Sequence, residues 1–285
     1  MGEEINASVY NEHVELTDDF MFGYVMRNNP EVCREVIKCL MPDVAVADVK
    51  YRDGTELAPE TQKTIQGNIG THSVRLDVYL DDGETIYNVE MQTGNKANLP
   101  KRVRYYGGRI DCDQLLKNED YILLRPTYVI FICTFDPFNQ DQYHYSFENT
   151  CAEVEDLKLG DESYKLFFNA AGHKGTISDE LKSFLKYVRD PKHMSEGEKS
   201  ELVKKIDEIV EFANHDAEWR RNYMTFRQMQ LDAKNEGIAI GEAKGVGLMA
   251  KLAVLLIRDG RTDDLVRAGS DEKYRNLLFK EYRLA

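Results

Sequence analysis

The stretch Val74-Arg75-Leu76-Asp77-Val78-Tyr79-Leu80-Asp81-Asp82-Gly83-Glu84-Thr85-Ile86-Tyr87-Asn88-Val89-Glu90-Met91-Gln92 reads as a β-hairpin. Both arms alternate with the period of a strand, which puts Val74, Leu76, Val78 and Leu80 on one face of the first and Arg75, Asp77 and Tyr79 on the other. The second arm sends Tyr87, Val89 and Met91 one way and Asn88, Glu90 and Gln92 the opposite way. Asp81-Asp82-Gly83 turns the chain, and Asp-Gly favours a two-residue loop. With that loop Asp77 stands opposite Asn88, and Glu90 is its diagonal neighbour on the same face.

Two carboxylates that close can share one hard cation. Mg²⁺ and Mn²⁺ take oxygen ligands, commonly only one or two of them protein carboxylates, and keep sites for water and for a substrate phosphate. A metal so held lowers the pKa of a bound water and offsets the charge that grows on a phosphodiester under attack. The plain alternative is a half-exposed hairpin whose polar residues meet solvent.

Around the hairpin the chain alternates helix and strand. Thr17 or Asp18 is a good N-cap for a helix through Phe20, Phe22, Val25 and Met26, and Pro30 opens a second through Val32, Val36, Ile37 and Leu40. Residues 44–51 read as a strand and 53–70 as a loop or irregular strand. From Asn95 to Ile110 the chain carries Lys96, Lys101, Arg102, Arg104 and Arg109 with no acidic residue, and Tyr105 and Tyr106 sit among them. A basic helix there, running to about Leu116 and next in sequence to Glu90, could hold a phosphate backbone and offer a tyrosine for stacking. A solvated face with inward-packing tyrosines explains the same pattern. Tyr128 to Phe135 is apolar enough for a central strand, and the sheet is expected to be mixed. Tyr143, Tyr145 and Phe147, then Tyr164 to Asn169, suggest further strands, and residues 179–188 an amphipathic helix that ends before Asp190-Pro191.

Several of these stretches together resemble a known family. Leu16-Thr17-Asp18-Asp19-Phe20-Met21-Phe22, Val74 to Val78, Tyr87 to Gln92, Pro100-Lys101-Arg102-Val103-Arg104-Tyr105-Tyr106 and Phe131 to Phe138 occur in the order seen in the Rpn recombination-promoting nucleases, also called PD-(D/E)XK family transposases. The resemblance implies an α/β fold: a restriction-endonuclease-like PD-(D/E)XK core, a mixed central sheet flanked by helices, with a helical C-terminal region added. It implies that Asp77 and Glu90 are metal ligands, that Gln92 stands where most relatives of the superfamily have lysine, and that Asp19 is the acidic position of the first helix. It implies Mg²⁺ as the ion, with Mn²⁺ or Ca²⁺ as substitutes, and DNA as the substrate. A glutamine amide donates and accepts hydrogen bonds but brings no charge. Arg75 is one candidate for the missing cation. Arg75, Lys101, Arg102 and Arg104 are the expected phosphate contacts, with Tyr105 and Tyr106 beside the bases.

Composition bounds the rest. The 285 residues, 42% hydrophobic and 31% charged, suffice for a sizeable core. A net charge of −13 argues against indiscriminate nucleic-acid binding, so any DNA contact must rest on local clustering of the basic residues. Cys33, Cys39, Cys112, Cys133 and Cys151 have no paired spacing, and the six histidines form no zinc motif. No signal peptide or membrane span is visible, which gives a cytoplasmic expectation.

Domain boundaries are expected at residues 1–190 for the nuclease-like part and 195–285 for the helical part. Trp219, Tyr223, Phe226 and Met229 recur at helical spacing, and Gly237, Gly241 and Gly245 recur every fourth residue, as in a hinge or a self-association surface. Leu252 to Arg258, a break at Asp259-Gly260, and helices near Asp263–Ala268 and Asp271–Tyr282 complete a small module. The leading functional expectation is a metal-dependent DNA endonuclease. Two others are a non-cleaving DNA-binding or regulatory protein on the same fold, and a helical interaction protein in which the C-terminal part does the work; homo-oligomers through the C-terminal helices are a separate expectation.

Overall fold

The computed structural model describes residues 12–43, 60–65, 74–94 and 97–284. The expected strand at 44–51, most of the 53–70 stretch and Lys96 lie outside them. Six strands form one mixed sheet: β1 (Glu60–Ile65), β2 (Val74–Asp81), β3 (Ile86–Gln92), β4 (Thr127–Cys133), β5 (His144–Phe147) and β6 (Ser163–Asn169), in the order β1-β2-β3-β4-β6-β5. β1, β2 and β3 pair antiparallel, β3, β4 and β6 parallel, and β5 returns antiparallel along β6.

Parallel pairing of β3 with β4 requires a crossover, and α3 (Leu99–Gln114) is that crossover. Leu99, Val103 and Ile110 recur along one side of α3 and are buried with Val129, Phe131, Cys133 and Phe167 of the sheet. Gly107 lies in the same stripe, where an added Cβ would come 3.9 Å from a Val129 methyl. The helix therefore lies on the face that carries Asn88, Glu90 and Gln92.

Four further helices complete this unit: α1 (Asp19–Asn28), α2 (Pro30–Leu40), α4 (Asp179–Arg189) and α5 (Glu201–His215). Asp18 is the cap of α1, its carboxylate accepting from the Phe20 and Met21 N–H groups at 2.9 and 3.4 Å, and Pro30 opens α2. α1 packs on β1 and β2, and α5 packs on α1, α2 and α4. Burial of Leu202, Val203, Ile206 and Val210 carries the unit past the Asp190-Pro191 break. It extends from Glu12 to Arg220, and the Trp219 ring packs tilted against Phe20 and edge-on against Tyr24.

A second compact unit contains the residues from Arg221 on. The helix α6 (Ala217–Arg258) runs through Gly237, Gly241 and Gly245, Gly260 turns the chain at φ +69°, and α7 (Thr262–Ser270) and α8 (Glu272–Glu281) follow. Leu252, Leu256, Ala268 and Leu278 are its core. All five cysteines carry free thiols, and no helix among the described residues is long and apolar enough to cross a membrane.

Candidate active site

The hairpin closes differently from the two-residue loop expected of Asp82-Gly83. Asp81 pairs with Ile86, Tyr79 with Asn88 and Val78 with Val89, which leaves Asp82 to Thr85 as the loop. Its aspartates make the turn: Asp82 accepts from the Glu84 and Thr85 N–H groups at 3.0 and 2.6 Å, Asp81 from the Gly83 N–H at 2.9 Å, and Gly83 sits at φ +86°. The register moves by two residues. Side chains keep their faces under such a shift, and the continued register sets Asp77 opposite Glu90, where the shorter loop would have made them diagonal neighbours.

At these two residues the strands bond through side chains. The Asp77 N–H donates to Glu90 Oε1 at 3.0 Å, and the Met91 N–H donates to Asp77 Oδ2 at 3.1 Å. The two carboxylates are thereby locked to one another's strands and held on one surface.

That surface is not open to water. Asn88, Glu90 and Gln92 are 0%, 0% and 6% exposed, as buried as Tyr87, Val89 and Met91 on the reverse, because α3 covers them. A hairpin whose polar row meets solvent is excluded. Burial, reinforced by the neighbouring Asp77 charge, pushes the Glu90 carboxyl well above the ordinary carboxylate range, against the pull of the Asp77 N–H and of Arg102. Asn88 is also fully buried, with its side chain beside Glu90 on the same strand face. Such a row is costly to fold unless something polar is meant to meet it.

Arg102 meets it from α3. Its Nη2 donates to Glu90 Oε2 at 2.9 Å, its Nη1 to Gln92 Oε1 at 2.6 Å and its Nε to the Tyr106 hydroxyl at 2.8 Å. The guanidinium lies 5.0 Å from the Tyr106 ring centre and 5.2 Å from that of Phe131, the residue paired with Glu90 on β4. Gln92 is fixed at its other end by donating from Nε2 to the Gly94 carbonyl at 2.6 Å. Cys133, paired with Gln92 across β3 and β4, is a buried thiol pushed up to about 12 by that burial, which leaves it unreactive.

The structure thus brings together Asp77, Glu90, Gln92, Arg102 and Tyr106. Lys101, Arg104 and Tyr105 lie on the outer side of α3, away from the packed stripe. Asp19 is exposed in the first turn of α1, and among the described residues no three acidic, histidine or cysteine side chains form a group suited to a metal. Arg75 belongs to β2, but its side chain lies outside the described residues. The paired carboxylates fit a hard divalent ion, which asks for few protein ligands and would relieve the repulsion that now raises Glu90. The inward role of Arg102 was missed in the sequence because clustered charge reads as a solvated face. The signal was present, since Arg102 is three residues after Leu99 and four before Tyr106, in the buried stripe.

Comparison with known families agrees with this geometry: residues 18–238 match the PD-(D/E)XK nuclease family transposases. The chain belongs to that family. The match covers the whole sheet, α1 to α5 and the first part of α6. No curated protein and no solved structure matches the chain. The α/β fold with its mixed sheet and added C-terminal helices is the PD-(D/E)XK arrangement expected of a member, and membership makes the chain nuclease-like.

Proposed function

We propose that this member is a metal-dependent DNA endonuclease that hydrolyses phosphodiester bonds, with Asp77 and Glu90 as the carboxylates that hold Mg²⁺ or, in its place, Mn²⁺. The observation that carries this reading is the interlocked acidic pair, with one carboxylate fully buried against a like charge. Structural ion pairs seldom accept such a cost, whereas catalytic sites are arranged around it. A bound divalent ion would supply an activated water and offset charge on the phosphodiester.

The chain's own groups do the remainder. Asp77, the less buried acid, faces the side from which an ion and a phosphate arrive. Gln92, with its amide held from both ends, orients a water by hydrogen bonding. Lys101 and Arg104 on the outer side of α3 meet the DNA backbone, and Tyr105 next to them meets a base. Asp19, exposed in the first turn of α1, is proposed as the further acid of the site. The proposed setting of this activity is recombination or transposition, and its proposed location the cytoplasm.

Purified protein incubated with plasmid DNA and Mg²⁺ or Mn²⁺, alongside Asp77→Ala and Glu90→Ala, tests the assignment. Nicking or linearisation by the parent chain and its loss in both variants is the expected result. Cutting that survives both substitutions ends the reading. Two observations favour a second reading, a DNA-binding protein that does not cut: a glutamine stands in the lysine position, and among the described residues no third acidic ligand joins the pair. DNA retention without cleavage in either metal would establish it.

A further inference from the structure

The buried row on β3 contains no cation of its own, and the residue that corrects this comes from a different element. Arg102 is 25% exposed at its side chain while its partner Glu90 is 0% exposed, so one end of the guanidinium faces outward and the other is sealed against the carboxylate. Three of its five N–H donors are committed, each to a different acceptor: an anion, an amide oxygen and a phenol. The aromatic rings of Tyr106 and Phe131 bound its position. Side chains that merely neutralise a surface acid are not held from this many directions.

Two consequences follow from those contacts. The guanidinium fixes which way the Gln92 amide points, because Oε1 accepts from Arg102 and Nε2 must then turn to Gly94. It also sets a fixed positive charge 2.9 Å from Glu90 Oε2, on the side of the carboxyl that faces α3. We propose that Arg102 is the positioning residue of this site, delivering from helix α3 the fixed positive charge that the strand leaves out at residue 92, and setting the orientation of both Glu90 and Gln92. The inference rests on the endonuclease reading for its effect on cleavage, but its electrostatic half stands on the contacts alone. Because the charge is carried on a helix side chain that reaches in from above, it need not remain at residue 102. A lysine at residue 92 would place an ammonium in the same gap between Glu90 and the covering helix.

Four variants test this: Arg102→Gln, Arg102→Lys, the double variant Gln92→Lys with Arg102→Gln, and the double variant Glu90→Gln with Arg102→Gln. The first readout is plasmid cleavage in Mg²⁺. Arg102→Gln is expected to cut about 10- to 100-fold more slowly, as for loss of a group that orients metal ligands. Adding Gln92→Lys is expected to recover most of that loss. Arg102→Lys recovers less, because one ammonium cannot fork between Glu90 and Gln92. Equal cutting by Arg102→Gln and the parent, or a folded Gln92→Lys, Arg102→Gln protein that cuts no faster than Arg102→Gln, overturns the proposal.

The second readout is thermal unfolding of metal-free protein, which does not depend on activity. Arg102→Gln lowers the midpoint because the buried Glu90 carboxyl loses the donor that holds it, and Glu90→Gln with Arg102→Gln restores most of it because no unpaired acid is left in the row. An equal drop in both backgrounds, or failure of the second to fold, would mean that Arg102 acts by packing and would overturn the proposal. If the parent itself never cuts DNA, the endonuclease reading fails while the unfolding comparison still decides the role of Arg102.

Discussion

The hairpin carries two arginine–carboxylate clasps, and their difference separates architecture from chemistry. At the turn end Arg125 grips Asp81 with two parallel hydrogen bonds of 2.5 and 2.8 Å, with both side chains about a third exposed at 30% and 33%. At the other end Arg102 spreads its donors over Glu90, Gln92 and Tyr106, with the carboxylate sealed from water. The first pair satisfies itself, fork to fork, and pins the segment that leads into β4 to the hairpin. The second leaves its carboxylate shared with a neighbouring strand and pressed against another acid. A protein that needed only to hold β3 beside α3 would use apolar side chains, as it does at Val129 and Val103.

The sharpest way to break this comparison is activity. Glu90→Gln is expected to lower plasmid cleavage about 100-fold or more, as for removal of a preorganised charge from a reacting centre. Asp81→Asn should leave the rate within about twofold, since surface pairs of this kind contribute little. Similar losses in both would show that the hairpin, rather than the acidic row, is what cleavage requires.

Stability should separate the pairs next. Removing Arg102 takes the partner from a buried carboxyl and is expected to cost up to about 3–5 kcal/mol in urea unfolding at a pH where Glu90 is ionised, and less at neutral pH, where the raised carboxyl holds its proton. Removing Arg125 should cost no more than about 1 kcal/mol. Equal costs would place the two clasps in the same class.

A pH series gives a smaller effect of definite sign. The Glu90 carboxyl is raised in the folded chain, so the folded state keeps its proton at pH values where the unfolded chain has lost it. Stability from this group is fully present below the ordinary carboxylate range and is lost as pH climbs toward the raised folded value. The metal-free protein should therefore unfold at a lower temperature at about pH 8 than at about pH 5 through this group, and Glu90→Gln should flatten that slope whereas Asp81→Asn should not. Added Mg²⁺ should oppose the loss at the higher pH, because the ion binds the ionised form. Salt gives the smallest effect: about 1 M NaCl should weaken the partly exposed Arg125–Asp81 pair while hardly touching Arg102–Glu90.

Much of the fold was legible because each element carried its own local signal. The Asp18 cap, Pro30 at the head of α2, the apolar run of β4 and the alternation in β5 and β6 all gave elements within a few residues of those observed. The small C-terminal module was equally readable from the break at Asp259-Gly260 and the helical stretches on either side of it, which the structure has as the end of α6, α7 and α8. The acidic pair was readable too, since a period of two fixes faces whatever the register. Loop length was not, because Asp81 and Asp82 act on the turn through their side chains and the Asp-Gly dipeptide by itself favours a tighter one.

What the sequence determined by itself was the identity of the row: alternation and propensity are local, so Asp77, Glu90 and Gln92 had to share a side. The tertiary structure alone decided what that side meets. Parallel pairing of β3 with β4 forces the intervening chain across this face, and the helix that makes the crossing both removes water from Glu90 and brings Arg102 to it. Burial and charge pairing depend on groups distant in sequence, and those distances are set only when the sheet closes.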